Sequence, residues 1–155
     1  MESRLVFHYF RHMEYWFELG YLGMFLAAFL ASTILPLGSE PLLVALLYAD
    51  FNPNILLAVA TIGNTMGGLT TFGLGYLGKW EWIERVLKVS ESQLEKAKKV
   101  VEKYGIWTAL LTWIPIIGDP IALVLGFFRL PLWKVLILMV IGKFLRYWFI
   151  IYLAS

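Results

Sequence analysis

The stretch PLGSEP, residues 36–41, interrupts an apolar run that would otherwise predict one long membrane helix. The same pattern returns as PIIGDP, residues 115–120, with equal spacing from proline to acid to proline. Proline ends or kinks a helix because it has no N–H and its ring clashes with the preceding turn. Each stretch therefore predicts a bend between two helical arms, and each bend carries an acid, Glu40 or Asp119.

The composition indicates an integral membrane protein. Of the 155 residues, 60% are hydrophobic and only 15% are charged, which leaves too little polar surface to cover a water-soluble domain. A net charge of +2 is too small to indicate nucleic-acid binding. The absence of cysteine excludes disulfides, thiolate metal sites and cysteine nucleophiles.

Three of the four arms beside the two bends are short, and the arm before Pro36, residues 19–35, is long enough for about 25 Å of helix. Residues 41–48, 106–114 and 120–128 each form less than about 15 Å of helix, against a hydrocarbon core of about 30 Å. A chain that enters the membrane, turns near mid-depth and leaves on the same side forms a re-entrant hairpin. Backbone outside a helix is tolerated at that depth only against protein or water. We predict two such hairpins, with these turn residues: Pro36, Pro41, Pro115, Gly118 and Pro120.

Two segments are long enough to cross the membrane, residues 54–77 and 132–154. Residues 3–18 mix aromatic and charged side chains, which predicts an amphipathic helix at the membrane surface. Residues 80–104 predict two further interfacial helices with a break near Ser90. The apolar face of the second of these helices consists of Leu94, Ala97, Val101 and Tyr104.

The sequence pattern predicts an internal repeat. The prolines and acid of each bend recur at a constant offset of 79 residues, as do the Ile-Gly pairs at 62–63 and 141–142. Each half contains an interfacial helix, a hairpin and one span, so each half crosses the membrane an odd number of times. The second half is therefore inverted relative to the first, as in many transporters. We predict one all-α membrane domain over residues 1–155, with repeats at about 3–78 and 80–154.

Basic residues predict the orientation. Most of the lysines and arginines lie on the side of the middle segment, and cytoplasmic loops carry such an excess. We expect residues 79–104 in the cytoplasm, both termini outside, and a multi-pass protein of the plasma or inner membrane.

Four ionisable residues fall within the apolar layer: Glu40, Asp119, Lys143 and Arg146. Charges at this depth are costly unless they are paired or hydrated, so these residues are functional candidates. One alternative is that each acid only caps the helix that follows it. Another is that the two cations only hold the bundle together as ion pairs. Asn64 lies beside a glycine-rich face of the first span and is a candidate for a polar path.

The motifs LPLGSEP, GNTMGG and WIPIIGDP, followed by LGFFRLPLW and GK, resemble those of the DedA superfamily, also called the SNARE-associated or VTT-domain family. Within that superfamily the chain is similar to the small YqaA-like branch, over roughly residues 20–150. The resemblance implies a role in lipid translocation. Bacterial members are linked to recycling of undecaprenyl phosphate and to maintenance of the proton-motive force, and eukaryotic relatives to phospholipid scrambling. It also implies that Glu40 is the family's acidic residue of the first hairpin.

The second hairpin departs from the family pattern. Typical members carry two arginines around its proline, whereas these places are Thr112 and Gly118 here. Lys143 and Arg146 are expected to supply the positive charge from the neighbouring span.

Two functions use these four charges. The first is a lipid translocase or scramblase in which Lys143, Arg146 and Asn64 bind the headgroup or pair with the acids, while Glu40 and Asp119 couple transport to protons. The second is a proton-coupled transporter or ion pathway for a small solute. A weaker alternative is a membrane scaffold. We expect no enzyme activity, metal or cofactor. The expected partners are membrane lipid and protons, with a homodimer left open.

Overall fold

The computed structural model describes residues 18–33, 38–78, 91–115 and 117–154. Most of the predicted N-terminal interfacial helix, the turn residue Pro36 and the predicted break near Ser90 lie outside these residues.

Throughout the described residues the regular structure is helical. In chain order the α-helices are α1 (Glu18–Ala31), α2 (Glu40–Tyr48), α3 (Pro53–Leu77), α4 (Glu91–Tyr104), α5 (Gly118–Phe127) and α6 (Leu132–Ala154), with a 3₁₀ helix at Gly105–Trp113 between α4 and α5. Among the described residues, α3 and α6 are the helices long and apolar enough to cross a membrane. Their 25 and 23 residues correspond to about 37 and 34 Å of helix.

Local sequence explains both ends of α3. The side-chain Oδ1 of Asn52 accepts hydrogen bonds from the backbone N–H groups of Asn54 (2.9 Å) and Ile55 (3.4 Å), and Pro53 takes the first helical position. The helix ends at Gly78, whose φ of 64° is a left-handed conformation that glycine adopts without strain. The first predicted span is therefore confirmed as a single helix.

The arm predicted as α-helix over residues 106–114 is instead the 3₁₀ helix Gly105–Trp113. Its two threonine hydroxyls donate to backbone carbonyls three residues back, Thr108 to Gly105 and Thr112 to Ala109, at 2.7 Å each. These bonds are compatible with the i→i+3 backbone pattern of the segment. A 3₁₀ helix rises about 2.0 Å per residue, so this arm is about 18 Å long rather than about 14 Å.

Glycines let α3 approach its neighbours at backbone contact distance. Gly75 faces the carbonyl of Leu123 on α5, and Gly126 on α5 faces the carbonyl of Phe72 on α3. A side chain at either glycine would collide with the opposing backbone. On another face of α3, Gly67 meets the carbonyl of Phe29 on α1 in the same way. These reciprocal contacts place α3 at the centre, packed against α1, α5 and α6.

Helix α4 covers part of the bundle formed by α5 and the 3₁₀ helix. Ala97 and Val101 are buried in the apolar core, and Leu94 packs against it, as the helical periodicity predicts. Tyr104, the last residue of the predicted apolar face, is 53% exposed. Tyr104 is the last residue of α4, and its ring lies 5.1 Å from the Lys103 ammonium instead of in the core.

Candidate functional site

Lys143 lies on α6 and is almost wholly buried, with 1% of its surface exposed. Its Nζ donates to three oxygens: the backbone carbonyl of Asn64 (2.5 Å), the side-chain Oδ1 of Asn64 (2.6 Å) and the Oγ of Ser32 (2.7 Å). An ammonium has three N–H donors, and this arrangement uses all of them. Gly68 makes the fit possible, because a Cβ at that position would lie 2.9 Å from Nζ.

Ser32, at the end of α1, connects Lys143 to one of the predicted acids. Its Oγ accepts from Lys143 and donates to Asp119 Oδ1 at 3.1 Å. Thr71 on α3 fixes the same residue by donating to the backbone carbonyl of Ser32 at 3.0 Å. Lys143 therefore reaches Asp119 through a serine, and not through the direct ion pair that the charge pattern predicts.

Arg146 lies one helical turn after Lys143 and pairs with the other acid. Its guanidinium forms an ion pair with the Glu40 carboxylate and donates to the backbone carbonyl of Trp113 at 2.8 Å. The side chain of Arg146 is 12% exposed and that of Glu40 is 26% exposed. This second pair is thus more open than Lys143, although both cations are on the same helix.

A second contact ties the start of α2 to α6. The hydroxyls of Ser39 and Tyr147 share a hydrogen bond of 2.6 Å, and Tyr147 is fully buried. Ser39 precedes Glu40, and Tyr147 follows Arg146. The ion pair and the hydroxyl pair therefore join the same two segments.

The acids of the predicted turns and the prolines that follow them lie at or next to helix N-termini, where these residue types are favoured. Glu40 and Asp119 lie within the first turns of α2 and α5, where the partial positive charge of a helix N-terminus stabilises a carboxylate. Pro41 and Pro120 occupy the same first turns, and Pro115 lies between the 3₁₀ helix and α5.

The alternative in which the two acids cap these helices is wrong. The cap residues are Ser39 and Ile117, and neither makes a side-chain capping hydrogen bond. Gly118, which follows Ile117, approaches the carbonyl of Thr112 so closely that no Cβ would fit. A larger side chain at this position would disrupt that contact.

Charge and hydropathy reasoning identifies Glu40, Asp119, Lys143, Arg146 and Asn64, and the structure places all five in these contacts. Reasoning from charge and hydropathy does not identify Ser32, Ser39 and Tyr147. Ser32 and Tyr147 are polar residues inside apolar stretches, and Ser39 lies in the first bend motif, which is the signal that would have identified them. The hydroxyls of Thr61 and Thr65, on either side of Asn64, are buried and have no hydrogen-bond partner among the described residues.

Comparison with known proteins agrees with the motifs. The VTT-domain family model matches residues 35–155. The chain is 36% identical to the inner membrane protein YqaA of Escherichia coli over 130 residues, covering 83% of this chain and 87% of that protein. An uncharacterised protein of Haemophilus influenzae is 31% identical over 150 residues, covering 92% of both chains.

An uncharacterised protein of Methanocaldococcus jannaschii is 24% identical over 136 residues, covering 86% of this chain and 83% of that one. No solved structure matches the chain significantly. The family match over most of the chain, together with the similarity to the inner membrane protein of Escherichia coli, shows that this chain belongs to the VTT-domain (DedA) family of membrane proteins, on its YqaA-like branch.

Proposed function

We propose that the protein is a lipid translocase or scramblase that moves phospholipid or polyprenyl-phosphate headgroups through a polar groove between the two predicted re-entrant hairpins. The observation that carries this proposal is the partly open Glu40–Arg146 ion pair between two predominantly apolar helices. A polar headgroup crosses the hydrocarbon layer at lower cost where protein charges or water in a groove surround it.

Arg146 is the cation best suited to bind a phosphate. A guanidinium presents a planar fork of donors that matches a phosphate in two parallel hydrogen bonds. Glu40 is a partner that such a ligand can displace, because the pair is partly exposed. Lys143, by contrast, has all three donors engaged and is buried. We therefore assign headgroup binding to Arg146 and assign Lys143 to holding Ser32, Asn64 and Asp119 in place.

The surroundings of Arg146 favour a lipid over a water-soluble solute. Trp113, whose carbonyl binds Arg146, is 41% exposed, and Leu145, which precedes Arg146 on α6, is exposed too. Ile117, just before the acid of the second bend, is also exposed. A headgroup bound at Arg146 would leave its acyl chains against these apolar side chains.

Two regularities support the inverted repeat on which the groove depends. Asn64 and Lys143 are 79 residues apart, the offset of the repeat, and they are in direct contact. Positions related by a two-fold axis meet when they lie on that axis. Thr33 and Thr112 have the same separation, and each hydroxyl donates to a carbonyl about one turn back. Both pairs fit a second half that repeats the first.

Lipid movement in vesicles tests the proposal. We expect the purified full chain to give dithionite access to tail-labelled phospholipid in the inner leaflet. Arg146→Gln removes the guanidinium and should reduce the rate to that of protein-free vesicles. Lys134→Gln is the matched control, since it removes an exposed cation from the same helix and should leave the rate unchanged.

A pH-sensitive dye in the same vesicles separates the proposal from a proton-coupled pathway for a small solute. Proton flux without any lipid movement by the unmodified chain would overturn the lipid proposal. Equal lipid rates for the unmodified chain and Arg146→Gln would refute the role of Arg146.

A further inference from the structure

The charges of the candidate site balance without a ligand. Glu40 and Asp119 contribute two negative charges, and Lys143 and Arg146 contribute two positive ones. The contacts divide them into two neutral pairs, one direct between Glu40 and Arg146 and one through Ser32. A headgroup that enters must therefore offer a partner to each protein charge whose ion pair it breaks. Otherwise one protein charge is left without a partner.

An anionic headgroup would disturb this balance. A phosphate bound to Arg146 displaces Glu40 and leaves its carboxylate without a cation, in a setting where an unpaired charge is costly. Lys143 cannot take over, because it is held by three oxygens in a buried position and has no donor left for Glu40. The site thus contains no spare positive charge within the described residues.

From this charge balance we infer that the Glu40–Arg146 pair selects headgroups that carry a phosphate and an ammonium group together. The phosphate binds the Arg146 guanidinium and the ammonium binds the Glu40 carboxylate, so both protein charges exchange one partner for another. No proton or counter-ion has to enter with such a ligand. The inference rests on the proposed function, and it names the lipid class that the same site would take.

The chemistry of the ammonium predicts an order among lipids. A primary ammonium, as in ethanolamine, donates hydrogen bonds to a carboxylate, whereas the quaternary ammonium of choline has no N–H to donate. A glycerol headgroup has no positive charge, and a polyprenyl phosphate has neither an ammonium nor a neutral overall charge. We expect transport to fall in the order ethanolamine, choline, glycerol, polyprenyl phosphate.

The experiment compares tail-labelled lipids in vesicles of one fixed host composition. We expect the unmodified chain to move the ethanolamine lipid roughly tenfold faster than the glycerol lipid, which corresponds to the loss of one moderate ionic contact. Equal rates for the two lipids would overturn the inference and leave the proposed function standing. A chain that moves no lipid at all would overturn the proposed function itself.

Two variants at one position sharpen the test. Glu40→Gln leaves Arg146 as an uncompensated cation, so we expect the preference to reverse, with the glycerol lipid moving faster. Glu40→Asp keeps the charge and should keep the original order even if the variant is slower. An unchanged preference in a folded Glu40→Gln protein would contradict the inference.

Soluble glycerophosphoethanolamine, a net-neutral phosphodiester like the lipid headgroup, distinguishes a lipid from a free solute with the same headgroup chemistry. Since the site is flanked by exposed apolar side chains, we expect the soluble compound at millimolar concentration to leave lipid movement unchanged. Its uptake into the vesicles at the expense of lipid movement would show that the recognised species is a free solute, and would overturn the assignment to lipid.

Discussion

At the scale of single residues, Lys143 and Arg146 differ in their surroundings although only one helical turn separates them. Three oxygens surround the Lys143 ammonium, and Gly68 leaves just enough room for it. Arg146 shares its charge with one carboxylate and one carbonyl and remains partly exposed. The three oxygens around Lys143 resemble a binding site for a small cation, and the Lys143 ammonium is the cation that occupies it.

Lys143→Ala should remove the ammonium from the oxygens of Ser32 and Asn64 that surround it. Removing one partner of a buried charged network costs about 3 to 5 kcal/mol, so we expect a clear loss of thermal stability in detergent. Ethylammonium should restore part of the melting temperature because its ammonium can reach Ser32 and Asn64, whereas tetramethylammonium has no N–H to donate. Lys134→Ala is the matched control and should respond to neither salt. Equal effects of both salts on Lys143→Ala would contradict this assignment.

At the scale of elements, glycines decide how closely the helices pack. Gly75 and Gly126 form a reciprocal contact between α3 and α5, and Gly142 on α6 approaches the carbonyl of Leu110 in the 3₁₀ helix. These contacts bring the ends of the predicted hairpins next to the two long helices that hold Asn64 and Lys143. The polar contacts of the site depend on this close packing, because hydrogen bonds of 2.5 to 3.1 Å tolerate little displacement.

Gly75→Ala tests this dependence. The added methyl group would meet the Leu123 carbonyl, so α3 and α5 must separate, and we expect a loss of about 1 to 3 kcal/mol in stability. Gly73→Ala on the same helix meets no atom within 4 Å and should be neutral or slightly stabilising. Thermal unfolding in detergent measures both. If the two variants lose equal stability, backbone contact at Gly75 is not what holds these helices together.

At the scale of the whole molecule, the predicted inverted repeat requires the two predicted hairpins to open to opposite sides of the membrane. The first hairpin is followed by a turn at Asp50 and the second by a turn at Arg129, and both residues have a positive φ that reverses the chain sharply. The excess of basic residues near Arg129 predicts the cytoplasmic side for the second turn.

Single cysteines test this topology directly, since the chain has none of its own. We expect a membrane-impermeant maleimide to label Asp50→Cys in intact cells and to label Arg129→Cys only after the membrane is opened. Labelling of both from the same side would rule out the inverted arrangement. Leu132→Cys, next to the second turn, is expected to behave like Arg129→Cys.

The sequence by itself determined the membrane class, the two long helices, the proline-marked starts of α2 and α5, and the four ionisable residues that form the contacts of the site. These follow from hydropathy, proline chemistry and the cost of burying charge, which are properties of the chain read locally. Which acid meets which cation was decided only by the tertiary structure. Ser32 separates Lys143 from Asp119, and Trp113 contributes a carbonyl to Arg146, because residues far apart in the chain meet only where glycines let the helices touch. The winding of Gly105–Trp113 as a 3₁₀ helix was likewise not predictable from the sequence, since apolar periodicity cannot distinguish it from a short α-helix.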